Sequence, residues 1–401
     1  MPRCLCLFVL LALAALAPTA QAAPAFLSGA DLSELPYQES KGVQYSDVGK
    51  AQDLLHIARD NGWRVVRVRL WVNPDAKNPE YAVSGLSPVT ALGKRIKAAG
   101  LRFLLDLHYS DTWADPGHQK RPGAWDALPF PQLVQKVRDY SRDVVAHLRQ
   151  NGAMPDLVQI GNETRNGLLY GSGTDGAGPQ PGGGFWEKTP GGLDRAAQLL
   201  AAGLEGVRLG ASPQMPPQTI LHIPDGQDTG FVKWYLTNLE AHAQAVGAKL
   251  DYDILGLSYY PAHPWDKKAG YDAWRLARLT ETMNYVAATW HKPVLVVETS
   301  WPQAGQPLPG TAGIPEFAFT PEGQAQFYRA LIAAVRAVPD GLGRGVVAWE
   351  QDALNWDSVF DAHGHALPAV RVLGGKEPTP LIPRDPPAPA RKASASGTTG
   401  R

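Results

Sequence analysis

Eight short apolar runs recur along the chain, most of them separated by segments with helical periodicity. They are Phe26–Asp31, Val65–Trp71, Arg102–His108, Leu157–Gly161, Thr219–Ile223, Asp253–Ser258, Val294–Glu298 and Gly345–Glu350. Several are continuous and β-branched, as strands buried on both faces are. Helices are predicted over Val48–Asn61, Val89–Ala99, Pro131–Gln150, Gly192–Leu209, Gly230–Val246, Tyr271–Trp290 and Pro321–Val338. Asn61-Gly62, Gly100 and Asn151-Gly152 stop helices, and Thr320-Pro321-Glu322 starts one. Eight strand-then-helix units in about 350 residues predict a single-domain (β/α)8 TIM barrel of the α/β class. The main competing fold is an open doubly wound sheet; no Gly-x-Gly-x-x-Gly follows an early strand, which disfavours its dinucleotide-binding version. The Gly-rich stretch Gly171–Gly192 reads as a long surface loop.

The two ends read differently from the middle. Residues 1–22 have the form of an export signal: Arg3, the apolar run Leu5–Leu16, and a small-x-small site at Ala20-Gln21-Ala22. Cys4 and Cys6 would leave with it, so the mature chain is expected to have no disulfide, no Cys-ligated metal and no Cys nucleophile. Residues 383–401 are rich in Pro, Ala, Ser and Gly and are expected to be a disordered tail. The barrel domain is then 23–382. A formal net charge of zero argues against nucleic-acid, anionic-membrane and polyanionic partners. The protein is expected to be secreted and to act as a monomer without a cofactor.

Catalytic groups of this fold lie at the C-terminal ends of the strands. Glu163 ends the fourth run and Glu298 the seventh, and these strand ends face each other across the barrel mouth. Two carboxylates on one bond suit glycosidic cleavage, one giving a proton to the leaving oxygen and the other attacking the anomeric carbon. That assigns Glu163 as acid/base and Glu298 as nucleophile, with Arg69 keeping the nucleophile charged. Trp71, Trp113, Trp125, Trp186, Trp265, Trp301, Trp349 and Trp356 fall at or beyond strand C-termini, where flat faces suit sugar rings. Trp63, Trp234, Trp274 and Trp290 read as core packing. His108, His118, His222 and His263 lack zinc-site spacing, so no metal is expected.

The block Leu107-His108-Tyr109-Ser110-Asp111-Thr112-Trp113-Ala114-Asp115-Pro116-Gly117-His118-Gln119 resembles the signature of glycoside hydrolase family 53, the arabinogalactan endo-β-1,4-galactanases. Gly29–Ser33, Gln159–Glu163, Ser258–Pro261 and Val297–Pro302 are similar to that family too, in order along the chain. The resemblance implies a retaining endo-hydrolase of β-1,4-galactan. It gives Glu163 and Glu298 the same roles as the residue reading. It further implies that Asn162 binds the sugar 2-hydroxyl, Tyr260 hydrogen-bonds the nucleophile, and Arg69 is the supporting arginine. His108, Asp111, Trp113, His222 and Trp349 would line sugar subsites. A retaining mannanase or glucanase, or a non-catalytic glycan-binding barrel, are the alternatives. The sequon Asn162-Glu163-Thr164 is read as coincidental, since a glycan there would block the cleft. The loop Gln303–Phe317 has Glu316 as its only carboxylate, so calcium, which needs several oxygen ligands, is not expected there. After the eighth run the family's long aromatic insert is absent, leaving the far subsites open.

Overall fold

The computed structural model describes residues 25–171, 182–184, 191–262, 271–306 and 315–376. The expected leader and tail, and most of the Gly-rich loop, lie outside these residues. Eight parallel strands close into a barrel: β1 (Leu27–Asp31), β2 (Val65–Leu70), β3 (Arg102–Leu107), β4 (Leu157–Ile160), β5 (Gln218–Ile223), β6 (Ile254–Tyr259), β7 (Val294–Thr299) and β8 (Gly343–Ala348). Each pairs with its sequence neighbours, and β1 meets β8 with Leu27 opposite Gly345. Closure needs a close approach at Gly29, where a Cβ would sit 1.8 Å from the Val65 carbonyl oxygen. No other residue fits there.

The helices that follow each strand are α1 (Leu54–Asp60), α2 (Leu86–Ala98), α3 (Phe130–Gln150), α4 (Gly192–Gly210), α5 (Thr229–Ala245), α6 (Leu276–Trp290), α7 (Pro321–Arg336) and α8 (Pro368–Leu373). None of the described helices is long and apolar enough to cross a membrane. Two predicted helix starts are corrected. Val48–Gln52 is not helical: Val48 and Gly49 turn a hairpin pairing Tyr45–Asp47 with Lys50–Gln52. Asp53 then caps α1, accepting from the Leu55 and His56 amides. Tyr271–Trp274 is a separate 3₁₀ turn, and α6 begins only at Leu276. Thr320 caps α7 as predicted.

The apolar material forms two layers. Strand outer faces and helix inner faces make the larger one. Leu27, Val65, Leu104, Leu157, Ile220, Ile254, Leu295, Val297 and Val347 form a second, inside the barrel. Side chains alternate along a strand, so Arg67 and Arg69 share the inward face of Val65. The barrel floor is therefore apolar, and the layers above it are charged.

Candidate active site

Backbone strain collects at the barrel mouth. Tyr109, Glu163, Asp225 and Glu350, just beyond β3, β4, β5 and β8, are non-glycine residues with φ of 54°, 45°, 58° and 46°. Such conformations persist only where surrounding structure imposes them, commonly at functional sites. A second irregularity lies on β7. Leu257 pairs with Val296, but Ser258 pairs with Glu298, so Val297 is an extra residue. Val297 packs inside the barrel, and strict alternation would turn Glu298 outward. The bulge re-aims it inward, a known use of such irregularities near active sites.

Glu298 is buried and meets Arg67 through a 2.6 Å bond from Nη2 to Oε1. The Tyr260 hydroxyl donates to its Oε2 at 3.0 Å. Arg67 also donates to Asp31 at 2.7 Å, Asp106 at 2.8 Å and Asn162 Oδ1 at 2.9 Å. Asp106 accepts in addition from His108 Nε2 at 2.8 Å and Gln159 Nε2 at 2.6 Å. The buried arginine is thus ringed by three carboxylates, the condition under which its charge is tolerable.

Glu163 borders the cleft. A carboxylate oxygen of Glu163, one of Glu298 and a His222 ring nitrogen all lie within 4.8 Å of one another. That separation is on the scale of about 5–5.5 Å between the carboxyls of retaining glycosidases, and short of the roughly 6.5–9.5 Å of inverting ones. Burial and the charge of Glu298 push the Glu163 carboxyl up to about 8, against the Ser258 hydroxyl at 2.6 Å, which favours the carboxylate. Glu298 is raised too, by burial and by the charges of Asp106 and Asp31, with Arg67 and Tyr260 opposing the rise. Of the two, Glu298 has the guanidinium in direct contact, so Glu163 holds the shared proton. His222 is held neutral by burial and by the Arg67 charge. This is the one group of His, Asp and Glu among the described residues compact enough for a cation. The His222 nitrogens, however, are engaged by Ser258 on one side and by Gln159 on the other.

The cleft between the carboxylates has a volume of about 520 Å³. Trp113, Trp349 and Trp356 supply its flat faces, and His108, Asn162, Asn355 and Asp357 its polar groups. Tyr260, Asn162, His108, Trp113 and Trp349 all line this cleft. Other expectations are corrected. Arg69 does not touch Glu298: it bonds Glu350 at 2.6 Å and Glu34 at 3.2 Å, and its guanidinium lies 4.1 Å from the Trp113 ring. His222 is fully buried and faces no subsite. Asp111 accepts from the Asn73 and Gly123 amides, both at 2.9 Å, and braces loops rather than lining the cleft.

Trp71, Trp125 and Trp301 are buried. Trp301 packs on Phe317, Phe319 and Phe327, and its N–H reaches the Ala318 carbonyl. Trp234, expected in the core, is 38% exposed. His263, Trp186, Trp265 and the middle of the Gln303–Phe317 loop lie outside the described residues. The Asn162 amide nitrogen donates to the Ala114 carbonyl at 2.8 Å inside the cleft. Arg67, Gln159 and Ser258 were not singled out, although each follows from strand alternation once the register is known.

The sequence model of Glycosyl hydrolase family 53 matches residues 27–373. The chain belongs to glycosyl hydrolase family 53. A probable arabinogalactan endo-beta-1,4-galactanase A from Aspergillus terreus is 37% identical over 347 residues, covering 85% of this chain and 90% of the relative. The arabinogalactan endo-beta-1,4-galactanase of Cellvibrio japonicus is 36% identical over 334 residues, covering 81% and 80%. Among solved structures, a fungal beta-1,4-galactanase is 32% identical with a TM-score of 0.74, covering 87% of this chain and 99% of that one. As a member of the family the chain is a glycoside hydrolase built on the (β/α)8 barrel.

Proposed function

We propose that the protein is a retaining endo-β-1,4-galactanase, with Glu163 as acid/base and Glu298 as nucleophile. The observation that carries the mechanism is the convergence of the two carboxylates to within 4.8 Å, one of them bonded to Arg67. The galactan specificity is supported by the similarity to galactanases along most of the chain.

In the first step an ionised Glu298 oxygen attacks the anomeric carbon. The bond to the leaving oxygen breaks, and that oxygen takes the Glu163 proton. Glu298 becomes a neutral ester, so its charge no longer raises the Glu163 affinity for protons. Glu163, now a carboxylate, removes a proton from water as the water attacks the anomeric carbon, the bond from that carbon to the Glu298 oxygen breaks, and Glu298 leaves as a carboxylate. The same electrostatic coupling thus serves both steps, holding the proton before attack and releasing it afterwards. Asn162 suits the 2-hydroxyl, and the aromatic faces of Trp113 and Trp349 suit sugar C–H faces. Arg67, rather than Arg69, keeps the nucleophile charged.

We further propose export through residues 1–22, a catalytic domain over 23–382, a polysaccharide partner and a monomeric enzyme. Reducing-sugar release from β-1,4-galactan, β-mannan and cellulose tests the reading. Release from galactan alone is expected; release only from mannan would overturn it.

A further inference from the structure

The residues behind Glu163 close a loop of hydrogen bonds that starts and ends on that residue. Its backbone N–H points at His222 Nδ1 at 3.4 Å. The His222 Nε2 lies 2.8 Å from Ser258 Oγ, and Ser258 Oγ lies 2.6 Å from Glu163 Oε1. The direction of each bond follows from donor accounting. Nδ1 faces two donors, the Glu163 amide and Gln159 Nε2 at 3.0 Å. It also faces Asn162 Oδ1 at 3.0 Å, but that oxygen already accepts from Arg67 and Gln159. Nδ1 is therefore the acceptor, and a neutral ring then carries its proton on Nε2. Nε2–H donates to Ser258 Oγ, and the single Ser258 proton must go to Glu163 Oε1. The backbone at Glu163 is left-handed, with φ of 45°, and its amide meets His222 in that conformation.

We propose that His222 and Ser258 are positioning residues that fix Glu163 Oε1 as an acceptor, so that the transferable proton sits on Oε2. The inference rests on the acid/base reading of Glu163. With Oε1 committed to Ser258, the proton that passes to the leaving oxygen and later returns from water stays on one atom. A free carboxyl would lodge it on either oxygen, half the time facing Ser258. The Ser258 bond also stabilises the carboxylate. The other charged or titratable groups around Glu163 are Glu298 on β7, Arg67 on β2, Tyr260 after β6, Asp115 after β3 and the neutral His222 on β5. None of these replaces the Ser258 donor.

Two measurements on the full-length protein test this. In ¹⁵N–¹H correlation NMR of the wild-type enzyme, the His222 ring proton should appear on Nε2 at neutral pH. A proton on Nδ1 reverses the loop and overturns the proposal, whatever the substrate proves to be. The second is the pH profile of kcat/KM for Ser258→Ala and Ser258→Thr on an aryl β-galactoside and on β-1,4-galactan. Ser258→Ala should lower kcat about tenfold or more, in line with the share of a general acid that positioning controls. Its alkaline limb should move to higher pH, because a carboxylate-stabilising bond is lost. Ser258→Thr should restore both. A loss of activity in Ser258→Ala with the limb unmoved would make the serine merely structural. Failure of the wild-type enzyme on galactan with turnover of the aryl glycoside would instead count against the substrate, not the loop.

Discussion

Arg67 and Glu298, on strands β2 and β7, meet inside the barrel through a 2.6 Å bond, while Arg69 reaches across to Glu350 at the same distance. Two arginines on one face of one strand thus serve different carboxylates. The deeper one serves the nucleophile. The shallower one stacks against Trp113 and supports the cleft wall.

Replacing Arg67 should be the more damaging change. Arg67→Met leaves Glu298, Asp106 and Asp31 buried together without their cation, a loss of about 3–5 kcal/mol of stability. Arg67→Lys offers no planar fork for the five acceptors Asp31, Asp106, Gln159, Asn162 and Glu298 and should lose at least a hundredfold in kcat. Arg69→Met should lower stability and raise KM with a much smaller effect on kcat. Denaturant midpoints and Michaelis parameters for the three variants check this. Equal losses of kcat for Arg69→Met and Arg67→Lys would contradict it.

The raised Glu163 carboxyl sets a pH dependence for both activity and stability. The alkaline limb of kcat/KM should fall near pH 8, where Glu163 loses its proton. Unfolded, the same carboxyl titrates near 4.3. Between these values the folded chain binds the extra proton, so this group favours folding at low pH and the advantage fades as pH rises toward 8. Glu163→Gln does not titrate there. Its stability relative to wild type should therefore increase across that window, by roughly 1–3 kcal/mol, less than the full shift implies because Glu163 borders the open cleft. Thermal unfolding of both proteins at pH 4.5 and pH 8 measures the difference.

Much of the fold and of the carboxylate pair is legible in the sequence. The eight apolar runs become the eight strands, because β-branched runs buried on both faces leave no other period to read. Glu163 and Glu298 could be paired because strand order alone sets them across the barrel mouth. The choice of Arg69 over Arg67 failed, since both point inward and only the depth of each layer decides which carboxylate it meets. The inward turn of Glu298 depends on a bulge that the run Val294-Leu295-Val296-Val297 does not announce. The family resemblance put His222 among the sugar ligands, yet the neighbouring Ser258 and Gln159 hold it behind the acid. The buried tryptophans misled for a similar reason: an indole at a strand end serves equally as a plug or as a platform.

Chemical rescue separates the two carboxylates. Glu163→Ala, given an activated aryl β-galactoside and azide, should recover turnover and yield the β-galactosyl azide, because the nucleophile is intact. Glu298→Ala under the same conditions should yield the α-azide by direct attack. Product stereochemistry by NMR distinguishes them, and the same azide from both variants would dissolve the assignment.

Trp356 lines the cleft and is 45% exposed, while Trp349 packs on Trp113 and on Tyr260, the residue that bonds Glu298. Trp356→Ala should raise KM for polymeric galactan several-fold and leave short oligosaccharides unaffected. Trp349→Ala should impair both, as loss of an aromatic face beside the reacting ring removes about 1 kcal/mol or more of binding. Michaelis parameters on substrates of increasing length resolve the two.

The account stands most directly on the anomeric form of the first product. Proton NMR recorded in the first minutes of β-1,4-galactan hydrolysis should show the new reducing end as the β-anomer, with the α-anomer growing in only by mutarotation. Initial release of the α-anomer would mean that Glu298 does not attack the sugar, and the pairing of Glu163 with Glu298 would lose its meaning.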